Sequence, residues 1–264
     1  MIETIKDRVR WESKDSVATI TLTRPEAGNG FDLLMAEAIS DAAQRAHDSA
    51  ASGAIRAVII AAEGPSFSVG GDLQHFSDAV DRAGEMENVA GCMHTALRLL
   101  ATSNAPVVTA IHGVAAGGGI GLALVGDVIL ASPRAKFRMA YTAVGLSPDC
   151  GVSWLLPRLV GHTRALDLAL TNRLVSAAEA ETWGMVSRVV EGDLMSEAES
   201  LARTLAKGSA ASLTSTKRLI WSSSTSTFAD QLDREAASIA ERVASADGVE
   251  GVDSFLAKRK PTFA

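Results

Sequence analysis

Only two cysteines, Cys92 and Cys150, occur in the 264-residue chain. No disulfide framework can staple it, and a reducing compartment suits it. Basic charge is scarce: 25 Lys and Arg against 31 Asp and Glu leave a net charge of −6. No basic patch stands out to neutralise phosphates, which argues against a nucleic-acid partner. No run approaches 18 uncharged apolar residues, so no membrane span is expected. The first residues, Glu3 and Asp7 among them, lack the apolar core of a signal peptide. No His, Cys and Asp cluster has metal spacing, and no G-x-G-x-x-G spells a dinucleotide fingerprint. There is no low-complexity linker, and the polar stretch 222–227 is too short to separate domains. The expectation is a cytoplasmic protein without a metal.

What is present is an ordinary globular composition, 47% hydrophobic and 21% charged, long enough for one large domain. Residues 17–22 alternate as a strand that Pro25 ends, and 55–60, 107–111, 127–131 and 136–139 read as further strands. Met35, Ala38, Ile39, Ala42 and Ala46 fall at helical spacing from Asp32 to about Ser49. Helices are also expected at about 89–100 and 118–125, with a mobile loop or irregular helix over 78–88. Ser176-Ala177-Ala178-Glu179 spells a capping box, and Gly184 then takes the C′ role. Helices follow at about 209–221, 228–244 and 249–257. The pattern is α/β, a β/α core to about residue 195 and a helical part over 196–264.

Two glycine turns dominate this pattern. Phe67-Ser68-Val69-Gly70-Gly71-Asp72 follows one buried strand, and Gly113-Val114-Ala115-Ala116-Gly117-Gly118-Gly119 follows another. A strand that stops in glycine and opens into a helix leaves backbone N–H groups unpaired. Two such turns, if they converge, can hold one partially negative oxygen between them.

With the segments Ile20-Thr21-Leu22-Thr23-Arg24-Pro25-Glu26, Pro106-Val107-Val108, Leu174-Val175-Ser176-Ala177 and Phe255-Leu256-Ala257-Lys258-Arg259, these turns resemble the crotonase superfamily of enoyl-CoA hydratases and isomerases. The resemblance spans nearly the whole chain. It implies a crotonase-like ββα spiral core over 1–195, a helical C-terminal trimerisation region over 196–264, and an acyl-CoA thioester as substrate. A homotrimer or a dimer of trimers is implied with it, and no cofactor beyond the coenzyme A of the substrate. The implied oxyanion hole falls on the backbone N–H groups of Gly71 and Gly118, which would bind an enolate oxygen more tightly than the ground-state carbonyl.

Three positions bear on the reaction. The two glutamates of family hydratases match Gly121 and Tyr141, neither of them acidic, so the carboxylate pair that handles water is missing. Asp149, in Ser147-Pro148-Asp149, matches the carboxylate that moves the proton in family isomerases. The surrounding segment 145–161 is most similar to ring-1,2-epoxyphenylacetyl-CoA isomerases and Δ3,Δ2-enoyl-CoA isomerases. Asp149 also reads as an N-cap for the helix that follows. The 4-chlorobenzoyl-CoA dehalogenases of the same superfamily offer a rival. They carry an aspartate nucleophile at the position of Asp149 and a histidine at that of His94, although Tyr141 stands where they have tryptophan. His94 reads equally as a pocket-lining helix histidine. The same scaffold also admits a residual hydratase, or a member that binds acyl-CoA without turnover.

For the coenzyme, the resemblance points to Arg24, Ala27, Phe255 and Lys258, and to the main chain of Ser68, Val69, Gly70, Asp72 and Leu73. His75 reads as a surface helix residue, His112 as structural, and Cys150 as an unactivated thiol. The acyl pocket is expected along 74–93 and the C-terminal helices.

Overall fold

Apolar runs before residue 190 pair into two sheets in the computed structural model, which describes residues 1–263. The strands are β1 (Ile2–Ile5), β2 (Val9–Lys14), β3 (Val17–Leu22), β4 (Ala57–Ala62), β5 (Ser66–Ser68) and β6 (Val107–Ile111). They continue with β7 (Val114–Ala116), β8 (Val128–Ala131), β9 (Lys136–Arg138), β10 (Val175–Ser176) and β11 (Arg188–Val189). The helices among them are α1 (Leu33–Ala51), α2 (Leu73–Asp78), α3 (Arg82–Thr102), α4 (Gly118–Leu124), α5 (Val152–Val160), α6 (His162–Thr171) and α7 (Ala177–Thr182). Four more close the chain: α8 (Leu194–Ala206), α9 (Ala210–Ser223), α10 (Phe228–Val243) and α11 (Ala246–Leu256).

The larger sheet has the order β1-β2-β3-β4-β6-β8-β11, antiparallel through β3 and parallel beyond it. The smaller runs β10-β9-β7-β5, with β5, β7 and β9 parallel. Each strand β4, β6 and β8 of the large sheet is followed directly by β5, β7 or β9 of the small one. The chain therefore climbs as a spiral of ββα turns, each stacked on the last.

The central strands are hydrophobic on both faces because both are covered. On β4, Val58 and Ile60 turn into the main core, while Ala57, Ile59 and Ala61 face α8. That helix answers with Leu194, Ala198, Ala202 and Ala206, a stripe at four-residue spacing. The boundary expected after residue 195 falls inside α8, which packs with the core. Behind it, α9 is pinned by Lys217, whose buried ammonium reaches Asp127 at 2.7 Å and the Leu100 carbonyl at 2.8 Å. By contrast α10 buries none of its residues.

One expected boundary shifts, one open alternative resolves, and some elements were not foreseen. The strand expected at 55–60 begins at Ala57, because the Ile55 N–H closes onto Ser49 and that of Arg56 onto Ser16 before the ladder starts. Of the loop or irregular helix expected over 78–88, the helix forms from Arg82, as the start of the 21-residue α3. The Asp81 carboxylate accepts the Gly84 N–H at 3.0 Å and so absorbs that glycine into the first turn. The strands β1 and β2, which extend the large sheet, were not anticipated. Also unanticipated were β5, β7, β10, β11, α6 and α8. The capping box at Ser176 and Glu179 forms in full. No helix among the described residues is long and apolar enough to cross a membrane.

Candidate active site

The two glycine turns interlock through their backbones. A Cβ on Gly70 would lie 2.7 Å from both the Ala116 oxygen and the Gly118 nitrogen, and one on Gly119 would lie 2.4 Å from the Ser68 oxygen. Gly70 also needs φ +85°, a left-handed conformation that a side chain disfavours. Around this junction the polar groups are used internally. The Ser68 hydroxyl donates to the Asn29 carbonyl at 2.8 Å and accepts the Gly70 N–H at 3.1 Å. The Asn29 amide in turn clips Glu63 and Ser66.

That packing leaves the N–H groups of Gly71 and Gly118 without an acceptor among the described residues. Phe31 bridges this strand end in parallel fashion, donating to the Gly70 carbonyl and accepting from Asp72, so Gly71 between them turns its own N–H away. Gly118 opens α4, where no preceding turn supplies an acceptor. Both glycines line a cavity of about 390 Å³ whose walls are mainly apolar, among them Phe31, Phe76, Val89 and Met93.

Asp149 lies in the same cavity wall and is held from three directions. His94 Nε2 on α3 is 2.5 Å from its Oδ1, the Cys150 thiol donates toward Oδ2 over 3.6 Å, and the Tyr141 hydroxyl donates to its backbone carbonyl at 3.1 Å. Burial pushes both the Tyr141 phenol and the Cys150 thiol well above their ordinary values, and the adjoining Asp149 charge adds to the shift of the thiol. Both therefore stay protonated donors. Asp149 does not cap the following helix: α5 is preceded by Gly151, with no side-chain cap. Cys150 itself sits at φ +51°, strained for a residue with a side chain.

Gly121 explains that strain. A Cβ there would meet the Cys150 carbonyl oxygen at 2.1 Å. The turn carrying Asp149 is folded down onto α4 in the space that any side chain at position 121 would need.

Of the residues expected to bind the coenzyme, Val69 and Leu73 are exposed and line the cavity with Gly71. Ser68 and Gly70 are buried in the junction. Arg24 is turned inward, its guanidinium 2.8 Å from Asp72 and 3.3 Å from Asp32. Burial alone would raise Asp72, but Arg24 and the N–H groups of His75 and Gln74 outweigh it and hold the carboxyl below the usual range. Ala27 closes a 3-10 turn at Pro25–Ala27. Phe255 on α11 and Lys258 just beyond are exposed and line no part of the cavity.

His75 pairs with Glu85 at 2.6 Å and His112 with the Gly64 carbonyl at 2.7 Å. The stretch 74–93 does form a cavity wall, whereas the C-terminal helices do not. Phe31 also lines it and was not anticipated. The helical spacing of Met86, Val89, Met93, Leu97 and Leu100 carries the signal for that wall, broken to the eye by Gly84 and Gly91. No group of described residues could hold a metal.

Residues 12–264 match the model of the enoyl-CoA hydratase/isomerase family. The chain is 39% identical over 254 residues to a 1,2-epoxyphenylacetyl-CoA isomerase of Escherichia coli, covering 94% of each. It is 34% identical over 198 residues to a 4-chlorobenzoyl coenzyme A dehalogenase of an Arthrobacter species, covering 74% of this chain and 71% of the other. The crystal structure of an enoyl-CoA hydratase from a Polaromonas species superposes with a TM-score of 0.91 at 32% identity, over 97% of this chain and all of that one.

Proposed function

This chain belongs to the enoyl-CoA hydratase/isomerase family, and we propose that within it the chain is an acyl-CoA isomerase. The observation that carries this reading is the closed space at Gly121: with the Cys150 carbonyl 2.1 Å from any Cβ there, the hydratase acid of that position has no room, Tyr141 stands at the other, and Asp149 is left to act alone. In the proposed reaction the Asp149 carboxylate removes a proton from the carbon beside the thioester carbonyl. The C–H electron pair moves into an enolate whose oxygen sits between the N–H groups of Gly71 and Gly118. Asp149 then returns the proton two carbons further along. His94 orients the carboxylate through Oδ1. Removing one oxyanion donor of this kind typically costs about 10²–10³ in rate.

The test is conversion of a 3-enoyl-CoA to its conjugated isomer, followed by absorbance. Asp149→Asn should lower kcat by about 10²–10⁴, the usual worth of a general base. An unchanged rate would sink the mechanism, and tight thioester binding without any turnover would favour a non-catalytic member.

A second reading draws on the 2.5 Å contact of His94 with Asp149 and on the dehalogenase relative. Here Asp149 would displace halide from a haloaryl-CoA, and His94 would activate the water that frees the resulting ester. Halide release that depends on both residues would favour it over isomerisation.

We further propose assembly as a trimer or dimer of trimers, with Phe255 and Lys258 of a neighbouring copy near the coenzyme. The support is the exposed stripe Phe228, Leu232, Ile239 and Val243 on α10. Light scattering should give three or six times 27.5 kDa.

A further inference from the structure

The mechanism above leaves one charged side chain of the cavity without a task. Glu87 lines the cavity, is exposed, and has neither a hydrogen bond nor an ion pair among the described residues. It stands on α3, the helix that also supplies Met86, Val89 and Met93 to the wall and carries His94 against Asp149. Seven residues separate Glu87 from His94. Two helical turns bring them back to one face, about 10.5 Å apart along the axis. The apolar wall between them is thus bounded by a carboxylate at each end, Asp149 at the reacting end and Glu87 at the other.

No lysine, arginine or histidine lines this cavity. A thioester whose carbonyl lies at Gly71 and Gly118 and whose chain runs along α3 brings its far end to Glu87. A neutral end meets Met86, Val89 and an acceptor carboxylate. An anionic end meets a like charge with no cation in the cavity wall to offset it. Like-charge contact of this kind is a standard means of rejecting one ligand while leaving its neutral counterpart unaffected.

We propose that Glu87 is a specificity-determining residue: it restricts the enzyme to acyl groups uncharged at their far end, alkyl, aryl or hydroxylated, and rejects ω-carboxyacyl thioesters. This rests on the reading of the cavity as an acyl-CoA site. It does not depend on which reaction follows.

The test measures dissociation constants by titration calorimetry for octanoyl-CoA and its ω-carboxylated counterpart of the same length. The proteins are the wild type, Glu87→Gln and Glu87→Lys. The ratio of the two constants within each protein cancels any shared loss of folding or of coenzyme affinity. In the wild type octanoyl-CoA should bind at least about tenfold more tightly; Glu87→Gln should bring the ratio within about twofold, and Glu87→Lys should reverse it. A ratio that is the same in all three proteins overturns the assignment. Both ligands are saturated and cannot be isomerised. Discrimination without turnover of a 3-enoyl-CoA therefore keeps Glu87 and removes the isomerase reading, whereas binding of neither ligand removes both.

Discussion

Gly121→Ala is a single added methyl group, yet it should disable the enzyme. Its Cβ would lie 2.1 Å from the Cys150 oxygen, 2.7 Å from the Cys150 Cβ and 2.9 Å from the Cys150 carbonyl carbon. Even a close carbon–oxygen contact needs about 3.3 Å, so the Cys150 backbone must retreat by roughly 1.2 Å. It has no soft way to do so. Cys150 is buried at φ +51°, and its thiol lies where a Cβ on Gly118 would be 3.0 Å away. The displacement therefore passes to Asp149, whose hold depends on a 2.5 Å contact to His94 and a 3.1 Å bond from Tyr141. Overpacking of this sort costs about 1–3 kcal/mol of stability. A reacting group misplaced by about 1 Å loses on the order of 10²-fold in rate. Thermal unfolding together with 3-enoyl-CoA isomerisation is the assay: a lowered Tm and a kcat down about 100-fold are expected. Gly121→Glu should behave no better and should not create hydratase activity, because the added acid displaces the one already present. Wild-type Tm and rate in Gly121→Ala would refute the reasoning, since the turn would then be free to move without consequence.

Other expectations follow from the same contacts. Tyr141→Phe removes the donor to the Asp149 carbonyl but no titrating group, since the phenol stays protonated throughout the working range; kcat should fall up to about tenfold with the shape of the pH–rate profile unchanged, and loss of an alkaline limb would contradict this. Lys217→Met leaves Asp127 without its cation in a largely buried site and should cost roughly 3 kcal/mol in urea unfolding. Burial depresses Lys217 in the folded state against the opposing pull of Asp127, so between that lowered pKa and 10.5 the unfolded chain binds more protons. Wild-type stability should gain with pH across that window relative to the variant. Glu250 is held at about 2 by Arg259, aided by the Thr262 N–H and Ser254. Its tie to the terminal segment should be complete above pH 4.5 and lost as pH falls toward about 2. Carboxyl-carbon NMR would test this, with Glu250→Gln identifying the resonance and a midpoint near 4.5 counting against it.

The individual elements were legible because each has a local signature, whereas the spiral they form came only with the family resemblance. Strands such as β6 show as short β-branched runs, and α1 shows by its spacing and its Asp32 cap, whose carboxylate accepts the Met35 N–H at 2.7 Å. The glycine turns were legible for the same reason, since a buried close approach requires the missing Cβ. What escaped notice depends on partners distant in the chain or on context. In α3 the first turn tolerates Gly84 only because Asp81 folds back to it. β2 alternates buried and half-buried residues, but its polar ones, Arg10, Glu12 and Ser13, hide the pattern.

The arrangement proposed to be catalytic is the least local feature of all. His94 and Asp149 are 55 residues apart, and their meeting depends on the left-handed Cys150, which no residue preference announces. Sequence could show that position 121 lacks a glutamate. It could not show that the place is filled. An empty position could regain its acid by one substitution, leaving only Tyr141 to change. Here the Cys150 carbonyl occupies the space, and the same turn delivers Asp149 to the cavity. The closure of position 121 and the placement of Asp149 are therefore one structural change, and returning to the hydratase pair would require refolding the turn around residues 149–151 as well as an acid in place of Tyr141.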